Sequence, residues 1–332
     1  MADRTLFIDR LRDGLGQLLA ENPRAILLGE DLADPYGGAF KATRGLSTRF
    51  PDRVRNTPIC EAGIVGTSIG LSLAGWFPVA EIMFGDFVTL CADQLINHAA
   101  KLPAMYGHRF RLPLLVRTPT GAGRGYGPTH SQSLEKCFLG IPGLQVVAMS
   151  AYHDPARIPA ACLATGQPTL CLEPKLSYAQ PLGSETLTLR PLSADPLAPV
   201  VVTNFSGDPA TADLLVVGYG SLPRLLEAVL PDLAREEINV TALVYAQLSP
   251  LDGAPVLSLA RAVRRVLLVE EANADFGWTA ELAAALAEHS TGAALRRLGA
   301  RNRVLPAAAE AEQATIVTPD LLRATLLALL RQ

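Results

Sequence analysis

The spacing of apolar residues in the first half of the chain alternates between two patterns. Residues 5–20 carry apolar side chains every three or four positions, including Leu11 and Leu15, which predicts an amphipathic helix. The run AILLG at 25–29 is typical of a strand buried on both faces of a parallel sheet. Similar runs predict strands at 78–82, 112–116, 144–149 and 168–173, and helical spacing predicts helices at 60–75, 86–101 and 154–165.

The alternation stops at residue 178 and begins again after residue 210. The segment between them is rich in proline and glycine, which favours a connection between domains. We therefore expect two α/β domains, a mostly parallel doubly wound sheet over 1–178 and a second domain over 211–332, joined by a linker over 179–210. In the second domain, strands are predicted at 213–218, 238–244 and 264–270, and helices at 222–235, 253–262, 277–288 and 319–331.

One uncharged run, residues 62–80, is long enough to be tested as a membrane span. Gly75 and Pro78 interrupt it, Glu61 and Glu81 bound it, and no Lys or Arg lies close to either end. These features favour a buried helix, a turn and a strand, and we expect no membrane association.

Composition excludes several classes of protein. Hydrophobic residues make up 49% of the 332 residues and charged residues 18%, a balance that excludes a disordered chain. The formal net charge of −3, without a basic block, argues against nucleic acid or an anionic membrane as a partner. The five cysteines form no C-x-x-C pair and the first residues do not resemble a signal peptide, so we expect a cytoplasmic protein with free thiols.

Glu61 is the first residue that suggests chemistry. It opens a glycine-rich apolar run, where a carboxylate is costly unless another group pairs with it. A functional carboxyl group is one interpretation. A glutamate placed at a helix N-terminus by the helix dipole is the other, and the pattern alone does not separate them.

His130 is the second candidate. It ends a loop with four glycines and a proline between residues 121 and 130, which indicates a tightly bent backbone. A flexible surface loop is the alternative, but a His beside Ser131 and Gln132 at the end of such a loop favours a positioned acid or base. A phosphate cradle is disfavoured because no P-loop or dinucleotide motif is present, and neither a G-x-S-x-G elbow nor zinc-ligand spacing occurs.

Several motifs together make the pattern specific. The chain resembles the β subunit of the thiamine-diphosphate-dependent 2-oxo acid dehydrogenases (the E1 component), which is related to the second and third domains of transketolase. The resemblance covers nearly the whole chain, is strongest over 25–180 and is looser after 210. Its motifs are Gly29-Glu30-Asp31, Thr57-Pro58-Ile59, Glu61, Pro78-Val79, Glu81-Ile82, Phe84, Asp86-Phe87, Gly127-Pro128, His130-Ser131-Gln132-Ser133 and Glu173-Pro174-Lys175.

The resemblance implies roles for these residues. The glutamate at the position of Glu61 hydrogen-bonds the aminopyrimidine ring of thiamine diphosphate, and a carboxyl group with a raised pKa can share a proton with a ring nitrogen. The histidine at the position of His130 takes up and releases protons and helps to pass the acyl group to a lipoyl arm. The positions that contact or lie near the cofactor are Glu30, Ile59, Met83 and Phe87.

A missing motif implies a partner. Nothing in the chain is similar to the segment that holds magnesium and diphosphate, and in the family that segment lies on the α subunit. The resemblance therefore implies half of a thiamine diphosphate site, Mg²⁺ on the α subunit rather than a metal site here, an α₂β₂ complex with a β–β contact, and a lipoyl or other acyl-carrier domain as acceptor. The chain departs from the family at Glu270-Glu271-Ala272, where His-Glu-Ala is usual, and over 304–309.

Two other functions remain open at this point. A transketolase-like ketol-transferring half enzyme would need several cationic side chains near the site, and the chain offers only Arg117, Arg124 and His130 there. A catalytically silent assembly subunit would be free to lose Glu61 or His130, and both are present. The sequence does not identify the 2-oxo acid or the acyl acceptor.

Overall fold

The computed structural model describes residues 5–289 and 291–332, and its first half alternates strands with helices as the apolar spacing predicts. The elements are α1 (Phe7–Glu21), β1 (Ala25–Gly29), α2 (Leu46–Arg49), β2 (Val54–Asn56), α3 (Glu61–Leu73), β3 (Phe77–Glu81), a 3₁₀ segment (Gly85–Cys91), a π-helical segment (Gln94–Ala99), α4 (Leu102–Met105), β4 (Leu114–Thr120), a 3₁₀ turn (Glu135–Cys137), β5 (Gln145–Ala148), α5 (Ile158–Ala164), β6 (Pro168–Pro174) and a 3₁₀ turn (Lys175–Ser177).

The second half continues the alternation after a short hairpin. Its elements are β7 (Thr188–Pro191), β8 (Val200–Thr203), a 3₁₀ turn (Pro209–Thr211), β9 (Leu214–Tyr219), α6 (Leu222–Arg235), β10 (Val240–Tyr245), β11 (Gln247–Ser249), α7 (Ala254–Val263), β12 (Arg265–Asn273), α8 (Trp278–Glu288), β13 (Ala294–Ala300), α9 (Ala309–Gln313) and α10 (Pro319–Leu330).

The first sheet has the strand order β11-β5-β6-β4-β3-β1-β2. All neighbouring strands in it are parallel except β11 and β5. The winding reverses between β1 and β3, because β2 is added on one side of β1 and every later strand on the other. In open parallel sheets such a reversal leaves a crevice at the carboxyl ends of the two strands, where ligands bind.

The second sheet has the order β13-β12-β9-β10-β8-β7. Strands β7 and β8 pair antiparallel with each other, and β8 pairs antiparallel with β10. Both strands lie in the segment 179–210 that the sequence predicts as a linker, so this segment extends the second sheet as well as connecting the two halves. Pro199 directly precedes β8, and Pro191 ends β7, which is the edge strand of this sheet, where proline is tolerated.

The helix expected over 86–101 is replaced by the 3₁₀ and π-helical segments. The hydroxyl of Thr89 donates to the carbonyl oxygen of Asp86 at 2.9 Å. Such a local bond competes with regular helical hydrogen bonding, and β-branched residues such as Val88 lower helix propensity further.

The uncharged run 62–80 forms α3, a turn and β3. Ile64, Val65 and Ile69 of α3 are buried in the core of the first sheet. Within the described part of the chain, we find no helix with both the length and the apolar character needed to cross a membrane.

Candidate active site

The predicted site residues follow the carboxyl ends of four adjacent strands of the first sheet. Because those strands are parallel, their carboxyl ends meet at one edge, on both sides of the reversal between β1 and β3. Glu30 follows β1, Ile59 and Glu61 follow β2, Met83 and Phe87 follow β3, and His130 lies in the loop after β4.

Two buried carboxyl groups lie on one side of this edge. Glu61 is the first residue of α3 and is only 7% exposed, and its side chain makes no hydrogen bond among the described residues. Glu30 is 6% exposed, and its Oε1 atom is buried without a partner there. Burial raises the pKa of Glu30, and the nearby carboxylate of Glu61 raises it further. Burial and the like charge nearby both favour the protonated form of Glu30.

An aromatic cluster surrounds His130 on the other side. The centre of its imidazole lies 4.8 Å from the Phe84 ring and 5.2 Å from the Phe87 ring, in both cases nearly perpendicular. The Phe84 and Phe87 rings are themselves 6.1 Å apart, edge to face. Edge-to-face contacts on two sides fix the orientation of the imidazole. The structure thus brings together two predicted site residues, Phe87 and His130.

The backbone of His130 is also held. Its amide donates to the carbonyl oxygen of Gly127 at 3.3 Å, and its Nδ1 lies 3.0 Å from the Thr129 hydroxyl. The ammonium of Lys175, just after β6, donates to the His130 carbonyl oxygen. Lys175 is fully buried, and burial lowers its pKa to about 8, although the carboxylate of Asp86 opposes the shift.

Asp86 connects the segment that carries Phe87 to the segment that carries His130. Its Oδ1 accepts from the Nε2 of Gln132 at 2.8 Å and from the Gln132 amide at 3.3 Å. Its Oδ2 and the hydroxyl of Ser131 are buried without a partner among the described residues. Buried polar atoms are normally satisfied, so such atoms at one edge of a sheet are suited to a polar ligand.

Arg117 does not reach the site, contrary to the expectation that it lies near the mouth. It is 1% exposed and donates to Glu81 on β3 and to Glu173 on β6, the latter through Nε at 2.6 Å. An arginine with both carboxylates buried beside it is committed to this ion pair network. Arg124 remains exposed, over the ring of Phe40 at 5.6 Å.

The other predicted residues are placed at the same edge without direct contacts to these groups. Ile59 is 82% exposed and Met83 is half-buried. The sequence reasoning missed the central position of Phe84 and the roles of Asp86 and Lys175, although all three belong to motifs that carry the family resemblance. No sequence signal pointed to Glu312 of α9, which accepts hydrogen bonds from the glycine loop before His130.

Comparison with known families agrees with this architecture. Residues 7–181 match the family described as the transketolase pyrimidine binding domain, and residues 208–322 match the transketolase C-terminal domain. A solved structure titled "Split gene transketolase, inactive beta4 tetramer" is similar with a TM-score of 0.72 at 20% identity, covering 98% of each chain. The chain is therefore of the transketolase type, with the two domains in that order.

Individual relatives narrow the class. The chain is 34% identical over 283 residues to the pyruvate dehydrogenase E1 component subunit beta of Leifsonia xyli, which covers 85% of this chain and 81% of that one. It is 32% identical over 293 residues to the 2-oxoisovalerate dehydrogenase subunit beta of Pseudomonas aeruginosa, which covers 85% and 82%. The protein belongs to the family of E1 β subunits of the 2-oxo acid dehydrogenases, which confirms the resemblance seen in the sequence.

Proposed function

We propose that this chain is the β subunit of an E1-type enzyme that decarboxylates a 2-oxo acid on thiamine diphosphate and passes the acyl group to a lipoyl or other carrier. The observation that carries the proposal is the edge of the first sheet. Two buried carboxyl groups and an imidazole fixed by two aromatic rings lie on opposite sides of the β1–β3 reversal. The names of the relatives support the same reaction class.

The residues at this edge fit the aminopyrimidine half of the cofactor. The buried carboxyl group of Glu61 has no protein partner among the described residues and is available to a ring nitrogen. The flat ring of Phe87 offers an aromatic wall, and the side chains of Ile59 and Met83 offer apolar contacts. Glu30 lies close enough to Glu61 to influence proton sharing. When bound, the cofactor would supply the electron sink that allows carbon dioxide to leave.

His130 is suited to handle protons during acyl transfer. The Phe84 and Phe87 rings hold the imidazole, and Thr129 contacts Nδ1. Its Nε2 has no partner within the described part of the chain, so this nitrogen can exchange a proton with a substrate or carrier group.

An α partner completes the site in this proposal. Among the described residues, no group of three or more His, Cys, Asp or Glu side chains could hold a metal ion. The exposed side chain of Ile59, beside the carboxyl edge, is apolar surface that a second chain would cover. Gly63, Gly66 and Gly70 form an exposed small-residue face on α3 that permits close approach of another helix. We therefore propose an α₂β₂ complex with Mg²⁺ and diphosphate held on the α subunit. We also propose that this complex acts in the cytoplasm.

Reconstitution tests the proposal. The chain is co-expressed with its α partner, and a panel of 2-oxo acids is assayed for decarboxylation with 2,6-dichlorophenolindophenol as electron acceptor. Turnover that requires both chains and thiamine diphosphate supports it. Ketol transfer between sugar phosphates without 2-oxo acid oxidation would favour the transketolase-like alternative. Turnover that survives both Glu61→Gln and His130→Ala would favour an assembly subunit.

A further inference from the structure

The loop before His130 forms a small concave cradle of backbone amides. Gly121, Gly123, Gly125 and Gly127 have φ angles of +91°, +99°, +73° and +78°, a conformation that favours glycine. Alternation of such residues with ordinary ones turns successive N–H groups towards one point, which makes an anion-binding nest. The loop is therefore suited to bind an anion.

The anion is a side chain of the same protein. The Glu312 carboxylate accepts hydrogen bonds from the amide of Gly123 at 3.2 Å and from the amide of Gly125 at 2.5 Å, one on each oxygen. Glu312 is fully buried, and it lies on α9 in the second half of the chain. The two amide donors that the structure defines in this nest, those of Gly123 and Gly125, are therefore both bonded to a carboxylate of the same chain.

Neighbouring contacts show that α9 is seated on the loop. The side-chain amide of Gln313 donates to the carbonyl oxygen of Gly123 at 3.0 Å. A Cβ atom on Gly125 would lie only 2.9 Å from the Cβ of Ala309, so a glycine is needed there for the close approach of α9 as well as for the positive φ. The second domain thus contacts the loop at Gly123 and Gly125, a few residues before His130.

We propose that Glu312 is the permanent ligand of this glycine cradle and a positioning residue for His130. The role assigned to His130 rests on the proposed function, whereas the occupation of the cradle does not. The consequence for chemistry is that the second domain, which supplies none of the predicted site residues, sets the position of the proton-handling imidazole.

Two routes connect Glu312 to His130. The first is the backbone, because only the residues Tyr126 to Thr129 separate the gripped Gly125 from His130, and the His130 amide bonds back to Gly127. The second is Lys175, whose ammonium donates to the His130 carbonyl oxygen and whose charged form the carboxylate of Glu312 favours. Removal of the carboxylate weakens both routes together.

Hydrogen exchange measures the grip without reference to activity. In Glu312→Gln, exchange of the amides in 121–130 should rise about tenfold, since a charge-assisted bond to the loop is lost. Tryptic cleavage after the exposed Arg124 should accelerate in parallel. Glu310→Gln is the matched control, because Glu310 is exposed on the same helix, and it should leave both rates unchanged. Unchanged exchange in Glu312→Gln would overturn the proposal.

Chemical rescue separates a vacant cradle from general loosening. In Glu312→Ala, formate should restore protection of 121–130 and resistance to trypsin, while chloride at the same ionic strength should not. Failure of formate to restore protection in a folded Glu312→Ala protein counts against the cradle. If neither Glu312 variant folds, Gln313→Ala provides the decision, because loss of its bond to Gly123 must still increase exchange in 121–125 for the proposal to stand.

Activity of the assembled enzyme tests the positioning role. Glu312→Gln should lower the rate of acyl transfer at least about tenfold and shift its pH profile, with the apparent affinity for the 2-oxo acid little changed. Increased exchange with no change in acyl transfer would overturn the positioning role. If no 2-oxo acid is decarboxylated even by the unaltered complex, the proposed function fails, while the exchange and rescue results still decide the cradle.

Discussion

At the residue scale, the structure separates the two groups expected to carry the chemistry. Glu61 lies beside Glu30 at the N-terminus of α3, and His130 lies among aromatic rings beyond β3. The two groups therefore have different surroundings and different partners, and removal of each should affect a different step of the proposed reaction.

Substitution of each group tests this division. Glu61→Gln keeps the size of the side chain but cannot take up a proton, so exchange of the cofactor C2 proton in the assembled enzyme should fall about 100-fold. His130→Ala should leave that exchange within about threefold and reduce acyl transfer about 100-fold. Proton NMR of quenched samples measures the first step and transfer to the carrier the second, with the exposed His98→Ala as control. Equal loss of C2 exchange in both variants contradicts the division.

Two roles are open to Phe87, contact with the cofactor or packing in the hydrophobic core, and substitution distinguishes them. Its ring is half-buried and touches Phe84 and His130, and it also lies against the core of the first sheet. As a wall, Phe87→Leu should weaken apparent thiamine diphosphate affinity of the complex about three- to tenfold, the equivalent of a stacking contribution. Val88→Ala, in the buried core of the same segment, should instead lower the melting temperature and leave affinity intact. A Phe87→Leu protein with lowered melting temperature and unchanged affinity would show that Phe87 is core.

The sequence singles out individual candidate residues more readily than the residues that contact them. Glu61, Phe87 and His130 are recognisable because each belongs to a local motif. Arg117 was misplaced because its two carboxylate partners lie on other strands, and nothing local distinguishes a buried arginine from one at a site mouth. Glu270 stands at the position where the family usually has His. Its carboxylate accepts hydrogen bonds from the amides of Trp278 and Thr279, so this contact joins β12 to the start of α8.

At the element scale, long apolar segments were predictable and short or polar ones were not. Strands β1 and β9 are continuous apolar runs that match their burial. Apolar runs also predict β3, β4 and β6, although these strands include the buried charged residues Glu81, Arg117 and Glu173. Strand β13 carries two arginines, and β2 and β11 have three residues each, so their pairing depends on neighbours in the sheet rather than on their own pattern. Strand β7 depends on its neighbour in the same way, whereas β8 is itself a buried run of three valines and a threonine inside a segment that its prolines predict as a linker.

One contact between elements should make stability depend on pH. Glu135, in the 3₁₀ turn after the glycine loop, is buried and accepts a hydrogen bond from the hydroxyl of Tyr219 at the end of β9. Burial raises the pKa of Glu135 from 4.5 to about 7. The folded protein therefore keeps this proton to higher pH than the unfolded chain does. Its stabilising contribution is complete below about pH 4.5 and is lost as the pH rises through about 7.

Glu135→Gln removes this titration and keeps an acceptor for Tyr219. Relative to the unaltered protein, its free energy of unfolding should improve between pH 4.5 and pH 8 by at most about 3 kcal/mol, the equivalent of the pKa difference. Urea unfolding at a series of pH values measures the change, with the exposed Glu288→Gln as control. A difference between Glu135→Gln and the unaltered protein that stays constant with pH would rule out this account.

At the scale of the whole molecule, the proposed site in this chain accounts for one half of the cofactor only. Glu312 occupies the amides of Gly123 and Gly125 in the glycine loop, so these donors are not available to a diphosphate. The isolated chain should therefore bind thiamine diphosphate more weakly than about 100 μM, whereas the complex with its α partner should bind it well below that value. Isothermal calorimetry of both samples makes the comparison, with light scattering to establish an α₂β₂ mass. Micromolar binding by this chain alone would contradict partner dependence.

The two sheets are less independent than two domains in sequence suggest. Strand β11 belongs to the second half of the chain, yet Gln247 and Ser249 pair with the outer side of β5 in the first sheet. About a hundred residues separate β5 from β11. During synthesis, the outer amides and carbonyls of β5 therefore remain unpaired until β11 has been made. An uncovered strand edge is a template for pairing with other chains. The first domain is consequently a poor candidate for separate expression, and its vulnerable period during translation ends only when residue 249 has left the ribosome.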